Sequence, residues 1–120
     1  MDWIKRLKIK TPGPNALCAN LSGGNQQKVV LAKWRNAGSR ILILDHPTRG
    51  LDVGAKEDVY QLIREVTAEG VAVLLTADTL EEMIGLSHRI LVMRDGEIAQ
   101  SFDCMPGSKP EQVDLIQYMV

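Results

Sequence analysis

The sequence has few cysteines and no long hydrophobic run. Its two cysteines, Cys18 and Cys104, form no C-x-x-C pair. No hydrophobic leader of the kind that directs secretion is evident, so we expect reduced thiols in a cytosolic protein. The longest apolar runs, such as residues 41–44, are far shorter than the roughly 20 residues that a membrane-spanning helix needs. Any association with a membrane is therefore expected to go through a partner.

Neither sign of charge is in excess. The chain has 14 lysines and arginines against 15 aspartates and glutamates, which gives a formal net charge of −1 at pH 7. A nucleic-acid-binding surface usually needs a clustered excess of basic residues, so we expect no nucleic-acid partner. The basic residues among the first ten positions are interpreted as a solvated face. With 120 residues, 45% of them hydrophobic, the chain fits one small domain.

The hydrophobic pattern predicts an α/β protein. Residues 41–44 are a continuous apolar run, which is typical of a strand buried on both faces in a parallel sheet. A helical pattern over 54–68 and a second apolar run over 71–75 complete a βαβ unit. The first ten residues fit a short helix or a strand equally well. Further along we predict a helix capped by Thr79, a strand over 89–93, an Asp-Gly hairpin turn, a strand over 97–102 and a closing helix within 109–119.

The most unusual stretch, residues 21–28, reads Leu-Ser-Gly-Gly-Asn-Gln-Gln-Lys. Two glycines lie where a helix is predicted to begin, although glycine inside a helix costs about 1 kcal/mol relative to alanine. Ser22 is a good N-cap, since its hydroxyl can accept a hydrogen bond from the amide of Gly24 or Asn25. Because Gly23 and Gly24 have no side chains, a phosphate can approach the free amides, and the helix dipole favours its charge.

Chemically active residues also follow the apolar run at 41–44. Asp45 ends that strand, at the edge where open α/β sheets place their ligand sites. A carboxylate there suits Mg²⁺ bound through water beside substrate phosphates. Taken alone, Asp45 fits equally well a residue that ends the strand and caps the next turn. The loop that follows carries His46, Arg49 and Asp52 close together.

Together these motifs resemble those of the ATP-binding-cassette (ABC) ATPases. LSGGNQQKV is similar to their signature motif, and ILILDHPTRGLDVGAK to their Walker B strand and D-loop. The variants SGGNQQK and PTRGLDVGAK resemble in particular the second cassette of the ATP-binding subunit of bacterial importers for ribose, galactose and xylose. The resemblance extends from about Ile9 to Arg94. It implies an α/β fold of the P-loop NTPase type, with a mainly parallel sheet flanked by helices.

The resemblance implies a role for each matching position. The implied cofactor-binding residues are Ser22, Gly23, Gly24, Asn25 and Asp52. The first three would contact the γ-phosphate of an ATP that the opposite cassette holds in a head-to-tail pair. Asp52 would be the D-loop residue that bridges the two cassettes. Asp45 would orient Mg²⁺ through water.

Two positions depart from the family's pattern. His46 stands where active cassettes have a glutamate that polarises the attacking water, and Asp78 where they have the switch histidine that senses the γ-phosphate. A histidine supplies no negative charge beside Mg²⁺, and loss of a positioned base lowers a rate by roughly 10²–10⁴-fold. Asp78 adds negative charge near phosphate, which disfavours nucleotide. The alternative for His46 is a histidine that hydrogen-bonds its own loop, and His88 is interpreted as a surface residue.

The sequence contains no nucleotide-binding loop of the form G-x-x-x-x-G-K-[ST]. In this family that loop precedes the signature motif and cradles the β- and γ-phosphates. The chain therefore resembles the C-terminal part of one cassette. Residues 1–37 would end the helical subdomain with the signature helix, residues 38–104 would hold the Walker B, D-loop and switch strands, and residues 105–120 would form a C-terminal helix.

The resemblance thus implies a fragment of the ATP-binding subunit of a bacterial sugar importer, whose parent couples ATP binding and hydrolysis to transport. The parent would use ATP, Mg²⁺, a second cassette, a membrane permease subunit and a sugar-binding protein, in the cytoplasm at the inner face of the cell membrane. The fragment alone lacks the nucleotide-binding loop and is expected to bind neither cofactor and to be inactive. Whether this chain is an enzyme therefore stays open, although the parent family hydrolyses ATP. One alternative is a non-catalytic interaction module or degenerate cassette remnant that forms homo-oligomers. Another is a phosphate-binding enzyme of a different family that uses His46.

Overall fold

The computed structural model describes residues 2–120, which fold into helices and strands in the order that the sequence pattern predicts. The helices are α1 (Trp3–Arg6), α2 (Gly23–Asn36), α3 (Val53–Ala68), α4 (Leu80–Leu86) and α5 (Gln112–Met119), with a short 3-10 helix at Cys18–Asn20. The strands are β1 (Ile41–Asp45), β2 (Ala72–Thr76), β3 (Arg89–Arg94) and β4 (Glu97–Asp103). The chain forms two compact units, a first unit that ends at Thr76 and a second unit from Ala77 to Val120. The predicted α/β class is confirmed.

The first unit contains the predicted βαβ arrangement. β1 and β2 pair in parallel, from Ile41 opposite Ala72 to Asp45 opposite Thr76, and α3 lies between them in the chain. The buried residues of α3 are Val59, Leu62, Ile63 and Val66. Their helical spacing places them on one face, so α3 packs as an amphipathic helix with its polar face in solvent.

The prediction that β1 is buried on both faces is wrong. Leu42 is buried, but Ile41 and Ile43 are 68% and 73% exposed, and Leu74 of β2 is 58% exposed. Within residues 2–120, the β1–β2 sheet has only these two strands. Burial of a second sheet face requires another layer of structure on that side, and the sequence of the strand itself does not reveal whether that layer is present.

Glu69 joins the ends of three helices in the first unit. It is the C-cap residue of α3, and its carboxylate accepts hydrogen bonds from Arg6 at the end of α1, at 2.6 Å, and from Arg35 near the end of α2. The hydrogen bond from Arg35, and next that from Arg6, lower the pKa of Glu69 from its ordinary value of 4.5. The two arginines also offset the unfavourable position of a carboxylate at the negative end of a helix dipole.

The second unit is an antiparallel β-hairpin that packs against α5. β3 and β4 pair from Arg89 opposite Asp103 to Arg94 opposite Glu97, with a register shift after Val92. The turn residues Asp95 and Gly96 both have positive φ, 51° and 79°, as the predicted two-residue hairpin turn requires. The core of this unit consists of Ile90, Val92, Cys104 and Leu115. The expected parallel pairing is therefore found in β1 and β2, whereas β3 and β4 are antiparallel.

The two cysteines are both free thiols in contrasting surroundings. Cys18 is exposed, whereas Cys104 is buried in the core of the second unit. Burial raises the pKa of the Cys104 thiol from its ordinary value of 9.0, because a thiolate is poorly solvated there. His88 is exposed, as predicted. None of the helices formed by residues 2–120 combines the length and the apolar character that a membrane span requires.

Candidate functional site

The first part of the candidate site is the beginning of α2. The predicted N-cap is confirmed, because the Ser22 hydroxyl accepts a hydrogen bond from the amide of Asn25 at 3.3 Å and the helix begins at Gly23. The first amides of an α-helix have no partner within the helix. Ser22 and Gly23 are exposed to solvent, so this end of α2 presents partial positive charge at an accessible surface.

The second part is the loop that precedes α3. Asp52 caps that helix, and its side-chain oxygen accepts a hydrogen bond from the amide of Ala55 at 2.8 Å. A Cβ atom added to Gly24 would lie 3.2 Å from the Cβ of Ala55 and 3.6 Å from Leu51 Cδ2. Gly24 therefore lets the beginning of α2 approach the beginning of α3 closely.

The beginnings of α2 and α3 together border a cleft of about 550 Å³ in the first unit. Residues 22–25 line it on one side, and the loop over 50–52 lines it on the other. The structure therefore brings together all five predicted cofactor-binding residues: Ser22, Gly23, Gly24, Asn25 and Asp52. The contact that each makes with a nucleotide stays a prediction.

An ion pair between a buried lysine and a partly exposed aspartate lines the same cleft, and the sequence pattern did not predict it. Lys28 is 6% exposed, and its Nζ lies 2.5 Å from Asp58 Oδ2 and 3.5 Å from the carbonyl oxygen of Lys8. Lys28 follows Gly24 by one helical turn, so it belongs to the same face of α2. That spacing is a signal that could have identified the lysine, whereas Asp58 is distant in sequence.

Asp45 and His46 lie elsewhere in the first unit, at the carboxyl end of β1. Asp45 Oδ1 accepts a hydrogen bond from Thr76 Oγ1 at 2.6 Å, and the amide of His46 donates to the same Thr76 oxygen at 3.0 Å. His46 Nε2 lies 3.6 Å from Asp45 Oδ1, and His46 has a positive φ of 47°. The Asp45 side chain is 80% exposed. Asp45 therefore lies at the predicted strand end, accessible to solvent, with Thr76 as a partner that the sequence did not indicate.

Asp78 belongs to the second unit. It is exposed and directly precedes Thr79, whose hydroxyl caps α4 by accepting a hydrogen bond from the amide of Glu82 at 3.2 Å. The predicted cap at Thr79 is thereby confirmed. The role of Asp78 in place of a switch histidine stays a prediction.

The predicted role of Asp45 in metal binding rests on a single carboxylate. Across residues 2–120, no group of three or more histidine, cysteine, aspartate or glutamate side chains is placed to bind a metal. Mg²⁺ in nucleotide sites is usually bound by one or two carboxylates together with water and substrate phosphates. The exposed carboxylate of Asp45 fits that limited role.

The chain is similar in sequence to several known proteins. No protein-family model matches the sequence. The ribose import ATP-binding protein RbsA of Bacillus licheniformis is 54% identical over 96 residues, which are 80% of this chain and 20% of that protein. The corresponding protein of Bacillus subtilis is 53% identical over 96 residues, with the same coverage. The arabinose import ATP-binding protein AraG of Yersinia pestis is 49% identical over 100 residues, 83% of this chain and 19% of that protein. The chain thus spans about a fifth of the length of these curated relatives.

Solved structures agree with this relationship. The ATP-binding cassette MJ0796, in a dimeric post-hydrolysis state bound to ADP and Pi, superposes with a TM-score of 0.73 at 25% identity, over 86% of this chain and 44% of that chain. The ATP-binding cassette MJ1267 in its ADP conformation gives a TM-score of 0.71 at 22% identity, over 84% of this chain and 39% of that chain. The chain is therefore a relative of the ATP-binding subunits of sugar importers, and its fold is that of part of an ABC cassette.

Proposed function

We propose that this chain is part of the ATP-binding subunit of a bacterial sugar importer and contributes the signature side of a shared ATP site. The observation that carries the proposal is the cleft in which the amides at the start of α2 meet the loop that contains Asp52. In this arrangement the chain contacts a nucleotide that another cassette holds.

The start of α2 is suited to a terminal phosphate for two reasons. Gly23 is open on its outer side, since an added Cβ would meet nothing within 4 Å, so a phosphate oxygen can reach the backbone amides. The helix dipole and Lys10, which also lines the cleft, favour negative charge there. Asp45 does not line this cleft, so a Mg²⁺ that it orients through water would belong to a separate nucleotide position at the carboxyl end of β1.

Alone, the chain is proposed to bind nucleotide weakly and to leave it unhydrolysed. A phosphate contact at one helix start is a small part of a nucleotide site, because the loop that cradles the β- and γ-phosphates is missing from the sequence. His46 supplies no carboxylate beside a metal, and Asp78 adds negative charge. The proposed setting is the cytoplasmic face of the membrane, with a second cassette, a permease subunit and a sugar-binding protein as partners.

Calorimetry tests the first half of the proposal. Titration of Mg-ATP into the chain alone is expected to give no binding in the micromolar range. Micromolar affinity would mean that the chain has a nucleotide site of its own, and it would contradict the proposal.

Association with an ATP-loaded relative tests the second half. The chain, labelled with a fluorophore, is titrated with the ribose import ATP-binding protein of Bacillus subtilis in the presence of Mg-ATPγS or Mg-ADP, and its anisotropy is recorded. We expect tighter association with Mg-ATPγS, and we expect Gly23→Asp to abolish that difference through charge repulsion. Gly13→Asp is the matched control, because an added Cβ there also meets nothing within 4 Å and Gly13 lies outside the cleft. Equal association with either nucleotide would contradict the proposal.

A non-catalytic interaction module is the second candidate. The exposed apolar residues Ile41, Ile43 and Leu74 on one face of the β1–β2 sheet favour it. This candidate requires association through that face in the absence of nucleotide, so the two functions are distinguished by their dependence on ATP.

A further inference from the structure

Asn25 bridges the loop before α2 and the N-cap hydroxyl of that helix. The backbone amide of Lys10 donates a hydrogen bond to Asn25 Oδ1 at 2.9 Å. A backbone N–H can only donate, so this contact fixes which end of the side-chain amide is the oxygen. The other end, Asn25 Nδ2, therefore faces Ser22 and donates to its Oγ at 2.7 Å.

The Ser22 oxygen consequently accepts two hydrogen bonds from the same residue. The second donor is the backbone amide of Asn25, at 3.3 Å. A serine hydroxyl has two acceptor positions and one proton to donate. Asn25 donates to both acceptor positions of the Ser22 oxygen. The hydroxyl proton of Ser22 is therefore available to a different acceptor. Ser22 is exposed and lines the cleft, so that acceptor can be a ligand in the cleft.

We infer that Asn25 is a positioning residue, which directs the Ser22 proton toward a phosphate oxygen in the cleft and acts through Ser22. The inference rests on the proposed function and deepens it, since it assigns the direction of one hydrogen bond: Ser22 donates and the phosphate oxygen accepts. An ionised phosphate offers acceptors, and a hydroxyl that donates to a charged acceptor makes a stronger hydrogen bond than one between neutral groups.

The chemistry of the amide explains why asparagine suits this position better than aspartate. Lys10 needs an acceptor and Ser22 needs a donor, and an amide supplies both. In Asn25→Asp both side-chain oxygens accept, so the Ser22 proton would turn inward to the carboxylate. The new negative charge would also repel phosphate. Asn25→Asp is therefore expected to impair phosphate binding more than Asn25→Ala does.

Nuclear magnetic resonance of the chain without ligand tests the geometry. We expect Ser22→Ala to shift the side-chain amide resonances of Asn25, because the acceptor of Nδ2 is removed. Asn36→Asp is the matched control for Asn25→Asp in the phosphate titration: it adds the same charge to the same helix and retains an acceptor for Trp3 Nε1, which donates to Asn36 Oδ1 at 3.2 Å. If Ser22→Ala leaves the Asn25 side-chain resonances in place, the inference is overturned regardless of phosphate binding.

Titration with inorganic phosphate tests the function, with the backbone amide resonances of Gly23 and Gly24 as the readout. Ser22→Ala and Asn25→Ala are each expected to weaken binding by about threefold to tenfold, as for loss of one hydrogen bond. In the Ser22→Ala background, Asn25→Ala should have no additional effect, because the two residues act as one unit. Helical circular dichroism checks that each variant is folded, and a folded Asn25→Asp chain tests the inference even where Asn25→Ala unfolds.

The outcomes separate this inference from the proposed function. Multiplicative losses in the double variant would mean that Asn25 acts independently of Ser22, which overturns the positioning role alone. Loss of ATP-dependent association after Gly23→Asp would still support the proposed function in that case. If the two glycine amides of the unmodified chain do not respond to phosphate at millimolar concentration, the inference is overturned, whereas the proposed function is still decided by association with the ATP-loaded relative.

Discussion

At the scale of single residues, the two adjacent glycines of the signature stretch have different surroundings. A Cβ added to Gly23 would meet nothing within 4 Å, whereas one added to Gly24 would lie 3.2 Å from Ala55 Cβ. Neither glycine has a positive φ, so backbone conformation requires glycine at neither position. Packing against Ala55 accounts for Gly24, whereas neither packing nor backbone conformation requires glycine at Gly23.

These surroundings predict different stabilities for two alanine variants. Gly23→Ala should raise the free energy of unfolding by about 0.4–1 kcal/mol, because alanine reduces the freedom of the unfolded chain. Gly24→Ala reduces the freedom of the unfolded chain to the same extent, but its added methyl group must displace Ala55. Its free energy of unfolding should therefore be lower than that of Gly23→Ala. Urea unfolding at neutral pH measures both variants. Equal midpoints would mean that α2 and α3 separate easily at this contact.

The two thiols should differ in reactivity. Cys18 is exposed, whereas burial of Cys104 raises its pKa and blocks access to reagents. We expect one thiol per folded chain to react rapidly with a disulfide reagent at pH 8 and both to react in denaturant. Cys18→Ser should remove the rapid phase. Rapid reaction of two thiols in the native chain would show that the core of the second unit opens readily.

The local part of the site could be predicted from sequence, but its distant partners could not. The Ser22 cap depends on residues within one turn, and the sequence pattern predicts it correctly. Lys28 pairs with Asp58, and Asp45 with Thr76, across 30 and 31 positions of the chain. Such pairs depend on how the elements pack, and this information is absent from a local pattern.

At the scale of elements, Thr76 connects the ends of β1 and β2 through its hydroxyl. It donates to Asp45 and accepts from the amide of His46. Thr76→Val retains a β-branched side chain but leaves both partners without this contact, so it should lower the free energy of unfolding by about 1 kcal/mol. Thr76→Ser retains the hydroxyl and is the control. Equal destabilisation of both variants in urea would exclude the hydroxyl as the cause.

The hydrogen bonds of Glu69 predict a pH dependence for the contact among α1, α2 and α3. Because the folded-state pKa of Glu69 is lowered from 4.5, its contribution to stability is complete above that ordinary value and is lost as pH falls through the lowered value. Glu69→Gln should therefore be less stable than the unmodified chain at pH 7, and the difference should shrink on acidification below pH 4.5. Urea midpoints measured across this range provide the test.

Glu97→Gln is the control for Glu69→Gln, since Glu97 is exposed on β4 in the second unit. At pH 7 its urea midpoint should lie closer to that of the unmodified chain than the midpoint of Glu69→Gln does. A stability difference for Glu69→Gln that stays constant with pH would mean that the carboxylate is not the source of the effect.

For the whole molecule, the sequence predicts class and element order better than it predicts layers. The periodicity of 54–68 indicates α3 because a helix buries one face at a regular spacing. The prediction that β1 is buried on both faces is wrong. The apolar run at 41–44 indicates that both faces of the strand can be covered, but it does not indicate that they are. Whether both faces of β1 are covered depends on other segments of the protein. The chain spans about a fifth of the length of its relatives. The division into segments 1–37, 38–104 and 105–120 stays a prediction.

The uncovered face of the β1–β2 sheet predicts that the chain self-associates. Ile41 and Ile43 project from one strand with a spacing of two, beside Leu74 of β2, and all three are largely exposed. Two strands also leave unpaired backbone groups at the sheet edges, and a second copy of the chain can cover both features. We therefore expect a dimer or larger oligomer by light scattering at micromolar concentration.

A pair of lysine variants tests whether this face is the site of association. Ile43→Lys should shift the chain toward monomer, because a charge on this face opposes its burial. Ile98→Lys should not, since Ile98 is an exposed residue on β4 in the second unit. A monomeric unmodified chain, or equal effects of the two lysine variants, would exclude this face as the site of association.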